Sequence, residues 1–220
     1  RTRVRWRTPA FEPPGRLEPT SNAELRTALH ALADDAASAA GTSTTIRLIN
    51  VGSSQGGVPL EAVHLARPSA GAPHPTVLLI GQQHGDEPAG AEALLVIARE
   101  LAGGSLAALL DRIDVVILPR VNPDGASTRR RGTAGGIDVN RDHLLLRTPE
   151  SQAVAALVRQ FDPIVVVDAH EYAAIGRWLE KFGLVERHDV LIQYATTANM
   201  HGLVTRASEE WFRQPMRAAL

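Results

Sequence analysis

Apolar positions in this chain fall into short β-branched blocks separated by stretches with helical spacing. Thr45 to Val51 and Leu60 to Ala66 are two such blocks, joined by the glycine-rich turn Gly52-Ser-Ser-Gln-Gly-Gly, and they predict a pair of strands. Thr76 to Ile80, Asp114 to Pro119 and Ile164 to Asp168 predict three more strands. Between them, Ala89 to Leu101 and Glu150 to Phe161 carry the spacing of helices. Upstream, Ser21-Asn-Ala-Glu-Leu opens an Ala- and Leu-rich helix running to about Ala40, with Ser or Asn as its cap. Ala207 to Leu220 reads as helical with an interruption at Pro215, and the proline-rich Pro9 to Pro19 as an extended lead-in. Strands alternating with helices predict a three-layer α/β/α fold around a mixed, largely parallel central sheet. Neither a repeat nor a linker divides it, so residues 1–220 read as a single domain.

Composition narrows the class. With 220 residues, 44% of them hydrophobic, the chain can bury a sizeable core, as one soluble domain does. A formal net charge of −1 gives no general reason to expect nucleic acid or an acidic membrane surface. The opening Arg1-Thr-Arg-Val-Arg-Trp-Arg is too short to outweigh that balance. Zero cysteines exclude disulfides and thiolate metal ligands and leave the compartment open. No apolar stretch reaches the roughly 18 residues of a membrane span, and no signal-like apolar region stands at the start.

The chemistry concentrates where predicted strands end. His84-Gly-Asp-Glu87 follows the run Thr76-Val-Leu-Leu-Ile-Gly and sets an imidazole and a carboxylate three residues apart. That pair suits a divalent zinc ion, and catalytic zinc keeps three protein ligands and one open position. His170, at the end of Pro163-Ile-Val-Val-Val-Asp-Ala-His, is the candidate third ligand. HxxE alone is a weak pattern; its weight comes from both histidines ending strand-like runs, where open α/β sheets bind ligands. The other six of the 8 histidines (His30, His64, His74, His143, His188 and His201) are assigned to ordinary surface or core roles.

Between the two histidines lie Asn122-Pro-Asp-Gly125, read as a turn, then Arg129-Arg-Arg131 and Gly136-Ile-Asp-Val-Asn-Arg141. Guanidinium groups recognise carboxylates through two bonds and stay charged at working pH. One arginine beside a zinc would polarise a carbonyl, and a second with an asparagine would capture an anionic substrate end. Of Arg129, Arg130 and Arg131, one is expected to be functional and two to be surface.

As a set these residues resemble the carboxypeptidase A-like zinc carboxypeptidases, in particular their compact bacterial members. The resemblance runs in order from the strand-turn-strand segment Ile49 to Leu60 through His84-x-x-Glu87, Asn122-Pro-Asp-Gly125, Arg131, Gly136-x-Asp138-x-Asn140-Arg141 and His170-Glu-Tyr172. It implies one Zn2+ held by His84, Glu87 and His170, with Asp138 orienting the first zinc histidine. It also implies Arg131 as oxyanion support, Asn140 and Arg141 as binders of the substrate's terminal carboxylate, and Tyr172 as a residue lining the groove. The implied activity is a metalloprotease: hydrolysis of a peptide or amide bond beside a free C-terminal carboxylate.

Two departures stand against it. The spacer from His84 to His170 is shorter than in the digestive enzymes and closer to the succinylglutamate desuccinylase and aspartoacylase group. The family's general-base Glu lies well beyond the second zinc histidine. Here Glu171, Glu180, Glu186, Asp189, Glu209 and Glu210 follow His170, none in a late strand. The expectation is a domain truncated at its C-terminus, its base unidentified. Two alternatives stay open: a zinc amidohydrolase acting on N-acyl amino acids, and a non-catalytic zinc or peptide-binding module. The expected partner is a peptide or acylated amino-acid substrate, with neither nucleic acid nor membrane; specificity, compartment and oligomeric state are not readable.

Overall fold

The computed structural model describes residues 7–38, 43–172, 177–183, 185, 191–193 and 199–219. Most of the arginine-rich opening, together with Glu186, His188 and Asp189, lies outside the described residues. The chain divides into two compact units, Arg1–Tyr172 and Ala173–Leu220.

In the first unit the elements run α1 (Asn22–Ser38), β1 (Thr45–Ser53), β2 (Pro59–Ala66), β3 (Thr76–Gly81), α2 (Ala89–Gly103), β4 (Asp114–Leu118), α3 (Pro123–Thr128), α4 (Pro149–Phe161) and β5 (Val165–Ala169). The five strands form one sheet in the order β1-β2-β4-β3-β5. β1 with β2 and β2 with β4 are antiparallel, whereas β3 runs parallel to both β4 and β5. The sheet is mixed, as expected, and its described pairings are evenly split between the two senses. The short glycine-rich connection after β1 makes β1 and β2 a hairpin, β2 also pairs antiparallel with β4, and the parallel strands are linked through helices.

Side chains alternate across the sheet. Val63, Leu65, Val115 and Ile117 face Leu25 and Leu29 of α1 and Leu94, Leu95, Ala98 and Leu101 of α2. Ala62, Leu78, Ile80, Val116 and Leu118 face Val154 and Leu157 of α4. Helices on both faces make the three layers. β4 is the apolar spine, with Val115 to Leu118 all buried, as expected of a strand covered on both sides.

The crossovers position the site. β3 passes through α2 on one face to reach β4, and β4 returns through α4 on the other face to β5, on the far side of β3. The carboxyl end of β3 is therefore a point where the chain switches direction, and the loops after β3, β4 and β5 open beside one another there.

Asn122-Pro-Asp-Gly125, expected as a turn, is the first turn of α3. Asn122 caps it by accepting the Gly125 N–H, and Pro123 sits where a missing N–H costs nothing. In the second unit, α5 (Arg177–Phe182), α6 (Gly202–Ala207) and α7 (Gln214–Ala219) are described. Between α6 and α7 the backbone widens to a π-helical turn over Ser208–Arg213. Pro215 has no N–H to give the preceding turn, and the wider turn absorbs the mismatch where a break was expected. Among the described residues, no helix is long and apolar enough to cross a membrane.

Candidate active site

The loop after β3 is fixed before it presents any chemistry. Gln82 adopts a left-handed backbone (φ 50), a strained choice for a residue with a side chain. Its amide holds it there, donating to Gly85 O at 3.0 Å and accepting from Arg120 Nε at 2.7 Å. Arg120 is buried and also donates to Asn22 Oδ1 and to Thr20 O, so the start of α1 and the residues leading into it clamp the loop from behind. Burial brings the Arg120 guanidinium down to about 10.

Asn122 stitches the neighbouring loops, its Nδ2 donating to Gln83 O and Arg131 O, both at 3.2 Å. The crossing is very close: a Cβ on Gly85 would lie 2.0 Å from Gly125 C and 2.3 Å from Ala126 N. Glycine is required at that point because two backbones touch there.

His84, 2% exposed, turns Nδ1 to Glu87 Oε1 at 2.8 Å. His170 turns its own Nδ1 to Glu87 Oε2 at 2.8 Å, and the two rings lie 4.7 Å apart. One ligand atom from each of His84, Glu87 and His170 falls within 4.8 Å of the others. A lone pair on nitrogen and a carboxylate oxygen repel, so something positive must stand between each ring and Glu87. Protons do so here. Burial pushes the Glu87 carboxyl up, but bonds from His170 and His84 and from the Glu171 N–H outweigh it and bring it to about 2. Bonds to Asp168 and then Glu87 raise His170 to about 9. Two imidazole nitrogens and a carboxylate poised around one point fit a zinc ion, whose positive charge would satisfy both contacts.

Asp138 meets the other side of His84, its Oδ1 3.0 Å from Nε2. The same oxygen accepts the Asn140 N–H at 3.0 Å and caps the short 3-10 turn Val139–Arg141. Its second oxygen accepts from Arg131 Nε at 3.0 Å. Burial would raise the Asp138 carboxyl; the bond from His84, helped by Arg131, holds it below the usual carboxylate range. Arg131 also brings Nη1 to 3.5 Å from Glu87 Oε1. Arg129, in a left-handed conformation, ends α3. Asn140 places Nδ2 3.2 Å from His170 Nε2. Arg141 is exposed and donates to Asn140 O, and Tyr172 is half-buried two residues past His170.

Three participants escaped sequence reasoning. Asp168 accepts at His170 Nε2 (2.8 Å), buried Gln83 donates to the same Asp168 oxygen (2.5 Å), and His143 lies 2.7 Å from Gln83 Oε1. One signal was available: alternate residues of a strand share a face, so Asp168 was placed to meet His170. His143 had been set among the ordinary histidines.

Fold and site together define an α/β protein in which, among the described residues, His84, Glu87 and His170 form a group that could hold a metal ion at the carboxyl ends of parallel strands. The zinc carboxypeptidase family model matches residues 33–201, and the chain belongs to that family. It is 34% identical over 142 residues to the probable carboxypeptidase 2 of Trichophyton verrucosum, covering 64% of this chain and 27% of that protein. Against carboxypeptidase D of Mus musculus the identity is 38% over 122 residues, covering 46% of this chain and 9% of that protein. The chain thus spans about a quarter or less of the length of these two relatives.

Among solved structures, a metallo-carboxypeptidase from Burkholderia cenocepacia superposes with a TM-score of 0.55 at 26% identity, over 65% of this chain and 40% of that one. Carboxypeptidase A from Helicoverpa armigera shares the fold with a TM-score of 0.61 at 20% identity, over 71% of this chain and 46% of that one.

Proposed function

We propose that this chain acts as a zinc-dependent metallocarboxypeptidase, hydrolysing the peptide or amide bond next to a free C-terminal carboxylate, with one Zn2+ on His84, Glu87 and His170. The observation that carries this reading is the convergence of those three side chains at the switch point, with Arg131 beside them. Bound zinc would polarise the scissile carbonyl and lower the pKa of its water to about 7. Arg131 is tied to Asp138 and borders Glu87, so its guanidinium is fixed in advance where an oxyanion would develop. Asn140 and Arg141, consecutive on the 3-10 turn, present an amide and a guanidinium fork suited to a terminal carboxylate. Tyr172 would line the approach. No residue of this chain is assigned as the general base.

The test has two readouts. Wild-type protein should retain about one zinc per chain on dialysis, and His84→Ala should lose it; unchanged metal content in the variant refutes the ligand assignment. Peptides with a free C-terminus should be cleaved and their C-terminal amides spared. Preference for N-acyl amino acids would move the assignment to the amidohydrolase reading, and zinc retention with no hydrolysis of either substrate to the binding module.

A further inference from the structure

The two histidines of the centre are held very differently. His84 is buried and packed, with Asp138 behind it. His170 follows β5, the outermost strand among the described residues, and its side chain stays 27% exposed against 3% for His84. Hydrogen bonds on its outer nitrogen form a chain of fixed direction. A carboxylate only accepts, so the Gln83 atom facing Asp168 Oδ2 is its NH2 group. The Gln83 oxygen then faces His143, whose Nε2 must carry the proton. At the far end the same logic puts a proton on His170 Nε2, where Asp168 accepts it. Proton on Nε2 leaves Nδ1, the nitrogen facing Glu87, as the atom available to a metal. Asn140 cannot do this job. It lies 3.2 Å from His170 Nε2, but an amide can present either its oxygen or its NH2 group and so selects neither tautomer, whereas a carboxylate can only accept.

We propose that Gln83 and Asp168 are positioning residues that orient His170 and select its metal-binding tautomer, with His143 fixing the Gln83 amide. This rests on His170 being a zinc ligand, and it gives the second histidine a support distinct from Asp138. Gln83, 1% exposed and with its backbone carbonyl tied to Asn122, is the rigid member. Asp168 is the exposed one, anchored through it.

The experiment is a zinc titration by chelator competition on the whole chain, with zinc-free melting curves alongside. Asp168→Ala and Gln83→Met should each weaken zinc binding roughly 10–100-fold, the usual scale for groups that orient a metal-bound histidine. Because Gln83 acts through Asp168, the double variant should bind zinc no more weakly than Asp168→Ala alone. Additive losses would mean that Gln83→Met disturbs the His84 loop directly, and would overturn the proposal. So would zinc affinity within twofold of wild type in Asp168→Ala, a substitution at an exposed side chain that keeps the test available should Gln83→Met not fold. His84→Ala serves as the reference: if it also retains zinc, the metal assignment itself has failed, whereas normal binding by the Asp168 variant alone refutes only this inference.

Discussion

Asp138 performs two tasks through one oxygen, accepting from both His84 Nε2 and the Asn140 N–H. An aspartate at this point can orient a histidine or cap a turn, and its contacts are compatible with both. Asp138→Asn keeps a carbonyl oxygen for the cap but loses the charge that favours His84 as a metal base. Zinc affinity should fall roughly 10–100-fold while the melting temperature of zinc-free protein changes little. A lower melting temperature with unchanged zinc affinity would leave only the cap.

Arg131 and Arg141 separate kinetically. Arg131→Ala should mainly lower kcat, because it acts on charge that develops in the transition state. Arg141→Ala should mainly raise KM for substrates ending in a free carboxylate. Steady-state kinetics on both variants, with Arg129→Ala and Arg130→Ala as near-neutral controls, checks the assignment; a kcat loss in either control would shift the functional arginine. The motifs at His84, Asn122 and His170 stood out because each follows an apolar run. Gln83 and His143 were not, since nothing in a linear pattern marks two polar residues 60 positions apart as hydrogen-bonded.

Among the elements, α4 shows how a buried charge can start a helix. Asp142 Oδ2 accepts from the Thr148 N–H, the Thr148 hydroxyl and the Ser151 hydroxyl, while Oδ1 accepts from the Arg147 N–H. Burial opposes its ionisation, but the Ser151 hydroxyl and these backbone donors win and hold the carboxyl well below the usual carboxylate range. A depressed folded value means stability that is present above the unfolded value of about 4 and is lost as pH falls toward the folded one. Asp142→Asn should therefore cost about 1.5–3 kcal/mol near neutrality, with the gap to wild type narrowing below about pH 4. Urea midpoints from pH 3 to 7 check this, and a gap independent of pH would sink it.

Helices and strands with strong periodicity, such as Ala89–Gly103 and Asp114–Leu118, were legible nearly to the residue. The short helix Pro123–Thr128 was not, because Asn-Pro-Asp-Gly begins a turn and a capped helix equally well. The evenly mixed sheet also escaped reading: strand order depends on which hairpin joins which edge, and no single run encodes that.

At the scale of the whole molecule, the proposed ligands come from two strand ends separated in sequence by about half of the first unit. A metal that binds only when those ends are assembled stabilises the folded state by mass action. At free zinc a hundredfold above Kd the gain is about 2.7 kcal/mol, so the melting transition should rise with added zinc and fall with a chelator. His84→Ala should abolish that dependence. A zinc-independent melting temperature in wild type would mean that the centre does not hold the metal in the folded state.

The near-contact between Gly85 and the start of α3 bears on how such a site could be moved or diversified. Two peptide segments that touch without intervening side chains have no independent shape; each is the mould of the other. Transplanting the His84 loop into a foreign scaffold without the Asn122–Arg131 segment would leave it without that mould. In a library of chimaeras, function should be inherited by these two segments as a pair, and recombination points between them should be the ones that fail.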